Sequence, residues 1–231
     1  MESKSPWLFF NTGVNNGAFN MSFDNYLLQS QIEGRLNLSL LRLYGWSEPT
    51  VSIGQNQILK ETDKQLLFAY PLVKRITGGS AVLHDRSFGE LTYSVCLHYE
   101  KSAKNLYFDL GQVFICFLSK YGLSAAFGYL DKNYFSDFNC FNSKTSADIV
   151  INDIKVIGSA QCRKKKHILQ HGSIKLDEIR KLSCKNLDFN QAIDDLKIAF
   201  EEVLQIKFLD YNVSSTDCEK INYQNEILSV I

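Results

Sequence analysis

Two short stretches of this chain concentrate the residue types that do chemistry. Residues 74–85 read KRITGGSAVLHD: a Lys–Arg pair, a Gly–Gly turn, a run of small residues and a His–Asp pair. Gly78 and Gly79 can take positive φ and let a ligand approach the backbone where a side chain would block it. Arg75 offers a fixed fork of donors matched to phosphate or carboxylate, and His84 can exchange a proton near neutral pH. A Gly–Gly turn beside an arginine is also an ordinary turn, so this stretch alone fixes no activity. Residues 152–177 read NDIKVIGSAQCRKKKHILQHGSIKLD. Here Lys155 precedes Gly158-Ser159-Ala160-Gln161, the basic run Arg163–His167 follows, and His171-Gly172-Ser173-Ile174 closes the stretch. The four histidines are not at metal-ligand spacing and no carboxylate pair joins them, so no metal is expected.

The elements that must position these stretches follow from hydrophobic periodicity. Residues 7–10 form an apolar first strand, and 20–31 an amphipathic helix with Asn20 as its N-cap. Residues 39–46 alternate as a strand, with 51–53 as its continuation after Pro49. Residues 91–99 alternate as a strand running out of the glycine loop. Residues 106–121 have helical spacing and stop at Gly122, a C-cap. From residue 148 the pattern is an antiparallel meander: strand 149–151, a tight turn at Asn152-Asp153, strand 155–161, and strand 168–176, with RKKKH on the connecting turn. A helix over 191–200 closes the domain. The whole predicts an α+β fold, a mixed and largely antiparallel sheet flanked by helices, in one domain over residues 1–214 with a polar tail at 215–231.

Composition narrows the class. The 231 residues are 45% hydrophobic and 13% aromatic, enough for a sizeable core. Twenty-five acidic residues balance 25 basic ones, so no nucleic-acid or membrane partner is expected from global charge. No apolar run approaches the ~18 residues of a membrane span, and the N-terminal residues lack a secretory pattern. The cysteines at 96, 116, 140, 162, 184 and 218 show neither close pairing nor CxxC spacing, which fits a reduced, cytoplasmic compartment.

The two stretches together resemble the biotin/lipoate protein ligase family on its lipoyl side. The family's arginine, threonine, paired glycines and His–Asp correspond to Arg75, Thr77, Gly78, Gly79, His84 and Asp85. Its Lys-Gly-Ser-Ala-Gln element corresponds to Lys155, Gly158, Ser159, Ala160 and Gln161, and its His-Gly-x-Ile strand to His171, Gly172 and Ile174. Residues 41–57, LRLYGWSEPTVSIGQNQ, look like the family's strand pair with its Trp, Pro and Ser-x-Gly, and Asn20–Asp24 like its first-helix start. The resemblance runs from about residue 7 to about residue 205. It implies a catalytic domain like that of class II aminoacyl-tRNA synthetases and biotin synthetases. It also implies a substrate site built from Arg75, Thr77, Gly78, Gly79, Ser80, Ala81, His84, Gly158, Ser159, Ala160, His171 and Gly172.

Within that family an ATP-dependent ligase needs a nucleotide and no protein nucleophile, whereas a transferase accepts an activated thioester and can work through a cysteine. Asn139-Cys140-Phe141 stands 15 residues ahead of Lys155, the position and spacing of the acyl-accepting cysteine in one octanoyltransferase subfamily. The resemblance therefore implies Cys140 and Lys155 as the catalytic pair, since a nearby ammonium lowers a thiol pKa. Backbone amides near Gly78–Ala81 would hold the oxyanion. Cys162, on the strand beside the pocket, is the rival nucleophile, and Cys140 as a small buried hydrophobe is the bland alternative. Cys96 and Cys116 are expected in the core, and His84 and His171 as pocket-lining groups rather than acid–base catalysts. The sequence departs from the transferase pattern at Lys144, Thr145, Ala147 and Asp148, where a Pro-Ser and an aromatic are usual, and at Lys74, where an arginine is usual. Ser80 replaces the third glycine of ligases and would crowd a nucleotide.

The expected reaction is octanoyl transfer from octanoyl-acyl carrier protein to the lysine of lipoyl domains through a cysteine thioester, with no cofactor. Leu, Val and Phe side chains are expected to form the acyl slot, and a monomer is the default. The alternatives are an ATP-dependent lipoate ligase lacking its accessory domain, an octanoyl amidotransferase between lipoyl proteins, and a binding protein without chemistry. The run Arg163–His167 is either a solvated turn or a receiver for an acidic carrier or lipoyl domain.

Overall fold

The structure, a computed structural model, describes residues 5–59, 69–85, 89–129, 145–183, 185–212 and 221. In chain order its elements are β1 (Ser5–Asn15), α1 (Gly17–Ile32), β2 (Leu40–Trp46), β3 (Thr50–Ile53), β4 (Leu72–Lys74), β5 (Val82–His84), β6 (Leu91–His98), α2 (Ala103–Ser119), β7 (Ala126–Phe127), β8 (Ile149–Ile151), β9 (Ile154–Lys164), β10 (His167–Ile174), α3 (Leu176–Leu182), α4 (Phe189–Leu204) and β11 (Ile206–Asp210). Eight strands form one sheet in the order β11-β1-β2-β6-β10-β9-β8-β7, and β4-β3-β5 form a second, smaller sheet. β1 runs parallel to β2 and β11, and the rest of the large sheet is antiparallel. The architecture is the mixed α+β arrangement expected from the sequence.

Register explains how one sheet can be greasy on one face and reactive on the other, because side chains two apart share a face. On one face Leu41, Leu43, Tyr93, Val95 and Ile168 form the main core with α2 and α4. α2 is capped by Ser102, whose hydroxyl accepts from Asn105 N, and buries Leu106, Leu110, Val113, Phe114, Phe117 and Leu118. That is the i, i+3, i+4 stripe of a helix lying on a sheet. α4, capped by Asp188, buries Phe189, Ala192, Ile193, Leu196, Ala199 and Phe200 in the same way. Gly172 permits a local crossing on this face. The Tyr93 ring passes over it, and the phenol oxygen reaches Ser159 Oγ at 2.7 Å. A Cβ at Gly172 would stand 2.8 Å from Tyr93 Cε1 and clash with the Gly158 carbonyl.

The other face carries rows of different character across β2, β6 and β10. Leu40, Cys96 and Leu169 lie in one row, Arg42, Ser94 and His171 in the next, and Tyr44, Thr92 and Ser173 in the third. The first row packs on Phe23, Leu27 and Leu28 of α1. The other two are polar and fully covered, and the site is built on them.

The structure corrects three sequence expectations. α1 begins at Gly17 with Asn16 as its cap, its side chain accepting from Phe19 N at 2.9 Å. Asn20 lies inside the helix, buried, donating to the carbonyls of Asn15 and Gly45. Residues 51–53 do not continue β2: after Pro49 the chain enters the small sheet, where β3 pairs with β4 and β5. The basic run is not all turn, since Arg163 and Lys164 end β9, His167 starts β10, and only Lys165-Lys166 turn, with Lys165 at φ 56°. The turn at Asn152-Asp153 is as expected, with both residues at positive φ (46° and 67°), the conformation a two-residue hairpin favours. Within the polar tail, Ile221 is buried with Phe10 and Phe23. None of the described helices is long and apolar enough to cross a membrane.

Candidate active site

A cavity of about 180 Å³ opens between the polar rows of the large sheet, the loop joining β4 to β5, and the first turns of α1 and α2. Arg75, Gly78, Gly79, His84, Gly158, Ser159, Ala160, His171 and Gly172 all line it, so the fold brings residues from both motif stretches to one place. Its remaining walls are Met21, Tyr44, Trp46, Ser52, Val82, Thr92, Tyr107, Gln161 and Ser173. Among the described residues the apolar part of the lining is aromatic and methionine, with Val82. Leu41 and Leu43 of β2 face the opposite side, toward α2 and α4.

Two buried carboxylate–histidine chains hold the walls. In the first, Asp24 Oδ1 accepts from Arg42 Nη1 and Ser94 Oγ, both at 2.7 Å, and Asp24 Oδ2 accepts from Tyr44 OH at 3.1 Å. His171 Nδ1 lies 2.8 Å from Asp24 Oδ2, and its Nε2 lies 2.7 Å from Thr77 Oγ1. Arg42, Asp24 and Thr77 are each no more than 1% exposed. Burial by itself would raise the Asp24 carboxyl, but the Arg42 guanidinium and the bonds from His171 and Ser94 outweigh it and hold it below its ordinary value. Arg42 also donates to Asn20 O, Asn20 Oδ1 and Thr12 Oγ1, so that all three of its nitrogens are engaged, as burial of a guanidinium demands.

The second chain runs from Lys175 through Glu90 and His84 to Ser52. Glu90 Oε2 accepts from Lys175 Nζ at 2.5 Å, and Glu90 Oε1 stands 2.6 Å from both His84 Nδ1 and Ser173 Oγ. His84 Nε2 meets Ser52 Oγ at 2.8 Å, and its ring stacks on Trp46 with centroids 3.8 Å apart. Burial lowers the His84 pKa even though Glu90 pulls the other way, so the neutral ring is favoured. Burial also opposes ionisation of Glu90, yet Lys175 and His84 overcome it and hold the carboxyl well below the usual range.

The two chains grip the glycine loop at both ends. Thr77 is tied to the first and His84 belongs to the second. Arg75 ties the loop to β3, donating to Ser52 O at 2.9 Å and, within the loop, to Gly78 O at 2.8 Å and Ser80 O at 2.7 Å. Arg75 thus shapes the turn from within as well as lining the cavity. Gly79 sits at φ 94°, a conformation open to glycine. Thr77, Ser80 and Ala81 do not line the cavity: Thr77 anchors the loop to His171, Ser80 offers its carbonyl to Arg75, and Ala81 packs under the small sheet with Val51, Ile53 and Leu72.

Lys155 is buried on β9 with its Nζ 3.1 Å from Asp148 Oδ2 and is not among the described cavity residues. Asp148 also accepts from Thr145 N and Oγ1 at 2.7 and 3.1 Å. Burial lifts its carboxyl above the ordinary value despite the lysine. Cys140 lies outside the described residues, as does Cys184. Of the described thiols, Cys96 is buried and donates to Gln31 Oε1, Cys116 is half-exposed on α2, and Cys162 has its pKa pushed up by burial, which disfavours a nucleophilic thiolate. Among the described residues no cluster of His, Cys, Asp and Glu is arranged for a metal ion.

The sequence reading missed Asp24, Arg42, Glu90 and Lys175 as site-builders. The signal was present: a guanidinium in the otherwise apolar strand LLRLYGW must find a buried anion or be expelled. Arg42→Met strands the Asp24 charge, and removing one partner of a buried pair costs about 3–5 kcal/mol. Denaturant unfolding should show that loss, with partial recovery in the double variant Arg42→Met/Asp24→Asn. Equal stability of Arg42→Met and wild type would contradict the network's role. Because the native pKa values of Asp24 and Glu90 are depressed, their contribution is present above the unfolded values of about 4 and lost as pH falls toward the native ones. The urea midpoint should therefore fall between about pH 5 and pH 3, whereas a flat midpoint would count against both depressed carboxylates.

A family model described as lipoyl protein ligase A/B catalytic domain matches residues 16–188. A protein of Kyrpidia tusciae named octanoyltransferase LipM is 38% identical over 185 residues, 74% of this chain and 66% of its own length. A protein of the same name from Halalkalibacterium halodurans is 37% identical over 186 residues, 74% of this chain, and the chain spans 66% of the length of each of these two relatives. Among solved structures, protein Ta0514 of T. acidophilum with bound lipoic acid superposes with a TM-score of 0.75 at 20% identity, over 96% of this chain and 97% of that one. Lipoate-protein ligase A bound with ATP gives 0.74 at 20% identity, over 94% and 92%. At such identities these structures show the shared fold, the class II synthetase-like α+β fold.

Proposed function

We propose that this chain, which belongs to the lipoyl protein ligase A/B catalytic-domain family, transfers an octanoyl group from octanoyl-acyl carrier protein to the lysine of a lipoyl domain. The observation that carries the reading is the 38% identity, over 74% of the chain, to a protein named octanoyltransferase. The Cys140–Lys155 spacing supports the covalent route. In the first step the Cys140 thiol gives up its proton as its sulfur attacks the donor carbonyl; the donor's C–S bond breaks and the carrier sulfur takes up that proton and leaves as a thiol. In the second the lysine amine attacks the acyl-cysteine carbonyl, the amide forms, and Cys140 recovers the proton shed by the amine. Lys155 steadies the thiolate and positions the incoming amine. Gly78 and Gly79 bring backbone close to the reacting carbonyl, where amides can stabilise the oxyanion. Met21, Tyr44, Trp46 and Val82 supply the apolar walls for the acyl chain. His84 and His171, each pinned by a buried carboxylate, act as wall and loop anchors.

The test is transfer to a lipoyl domain from octanoyl-acyl carrier protein with ATP omitted. Wild type should octanoylate the domain, Cys140→Ala should lose at least about a thousandfold, as loss of a covalent nucleophile does, and Lys155→Met should be severely impaired. Transfer from free octanoate that requires ATP and survives Cys140→Ala would replace this reading with ligation.

A further inference from the structure

We propose that the β9–β10 hairpin and the start of α2 form the docking surface for an acidic carrier protein that presents the octanoyl group as a thioester on an extended arm. This identifies the donor's footprint and rests on the acyltransfer reading above. The chain as a whole is neutral, 25 basic against 25 acidic residues. Residues 98–104 and 163–167 nevertheless bring together Lys101, Lys104, Arg163, Lys164, Lys165 and Lys166, all exposed, against the single acid Glu100. A local excess of this size in a balanced chain is a positive field source of the kind that steers an anionic partner.

The platform is built rather than incidental. Arg163 donates to the carbonyls of Tyr99 and Lys101 at 3.1 and 2.6 Å, and Tyr99 N donates back to Lys166 O at 2.8 Å. Lys166 takes up Glu100 at 2.6 Å, so the one nearby carboxylate is engaged by the turn itself. Tyr99 OH occupies Asp109 at 3.0 Å, the next acid along α2. The two segments are therefore joined into one edge whose acids, Glu100 and Asp109, are already engaged.

Its place relative to the cavity selects the donor over the acceptor. Gln161 lines the cavity and donates to Ala103 O at 3.2 Å. Tyr107, also on the cavity wall, follows Lys104 by one turn. The exposed cations thus begin where the cavity opens. At 3.3–3.4 Å per strand residue, Arg163 to Lys165 lie about 7–13 Å beyond Gln161. A partner seated there is too distant to insert a bare lysine side chain, but well placed to thread an arm-borne thioester inward.

The experiment compares wild type with Lys164→Glu/Lys165→Glu, both residues exposed. Binding of octanoyl-acyl carrier protein and of a lipoyl domain is measured by titration, and turnover with octanoyl-acyl carrier protein and with octanoyl-pantetheine. Carrier binding should weaken by about tenfold or more, as expected when a steering patch is reversed, and its salt dependence should flatten. The KM for the carrier-borne donor should rise with kcat little changed, while lipoyl-domain binding and octanoyl-pantetheine turnover stay within about twofold. Unchanged carrier binding, or a loss confined to the lipoyl domain, overturns the proposal. A wild type that binds the carrier through this patch but transfers nothing keeps the docking surface and retires the acyltransfer reading.

Discussion

A carboxylate with almost no access to water organises this molecule. Asp24 receives hydrogen bonds from Arg42, Ser94 and Tyr44 and lies against His171, so that α1 and three adjacent strands meet at one charge. Such a group is tolerated only when its attraction to the arginine and its full set of hydrogen bonds outweigh desolvation. Once it is satisfied, the ring of His171 has one orientation, and Thr77 is fixed behind it. The start of the glycine loop is therefore placed by a charge that does not itself line the cavity but holds two residues that do, Tyr44 and His171.

Glu90 repeats the logic at the other end of the loop. Its carboxylate lies between Lys175 and His84 and also takes Ser173 and Thr92. Trp46, which donates to Thr92 at 2.8 Å and stacks on His84, turns that electrostatic arrangement into an apolar wall. The glycine loop is thus gripped at both ends and shaped inside by Arg75. The same sheet thus separates two tasks: Leu and Phe side chains on one face build stability, and the polar rows on the other hold geometry.

Much of this was legible in the sequence. The paired glycines, the His–Asp pair, the Lys155 element and His171-Gly172 were read together, and all but a few of the residues assigned to the substrate site line one cavity. Local signals also placed α2, the Asn152-Asp153 turn and the meander from β8 to β10. What was not legible depends on tertiary pairing. Pro49 marked a break, but nothing local showed that β3 would leave the large sheet for the small one. Asn16 and Asn20 are both plausible helix caps, and only the burial of Asn20 against Gly45 and Arg42 decides between them. Asp24, Glu90 and Lys175 are common residue types whose roles exist only across distant strands, although the charge of Arg42 within β2 was a readable demand for a partner. That Tyr44 and Trp46 face the cavity was hidden because register, not composition, decides which face each β2 residue serves.

On the proposed route the acyl group is carried by Cys140. Intact mass spectrometry of the protein after brief mixing with octanoyl-acyl carrier protein, with neither ATP nor acceptor present, tests it most directly. The account predicts a gain of one octanoyl group, removed by hydroxylamine as a thioester would be and mapped to the peptide containing Cys140. An unmodified protein, or an octanoyl group mapped to Cys162 or to a lysine, would contradict it.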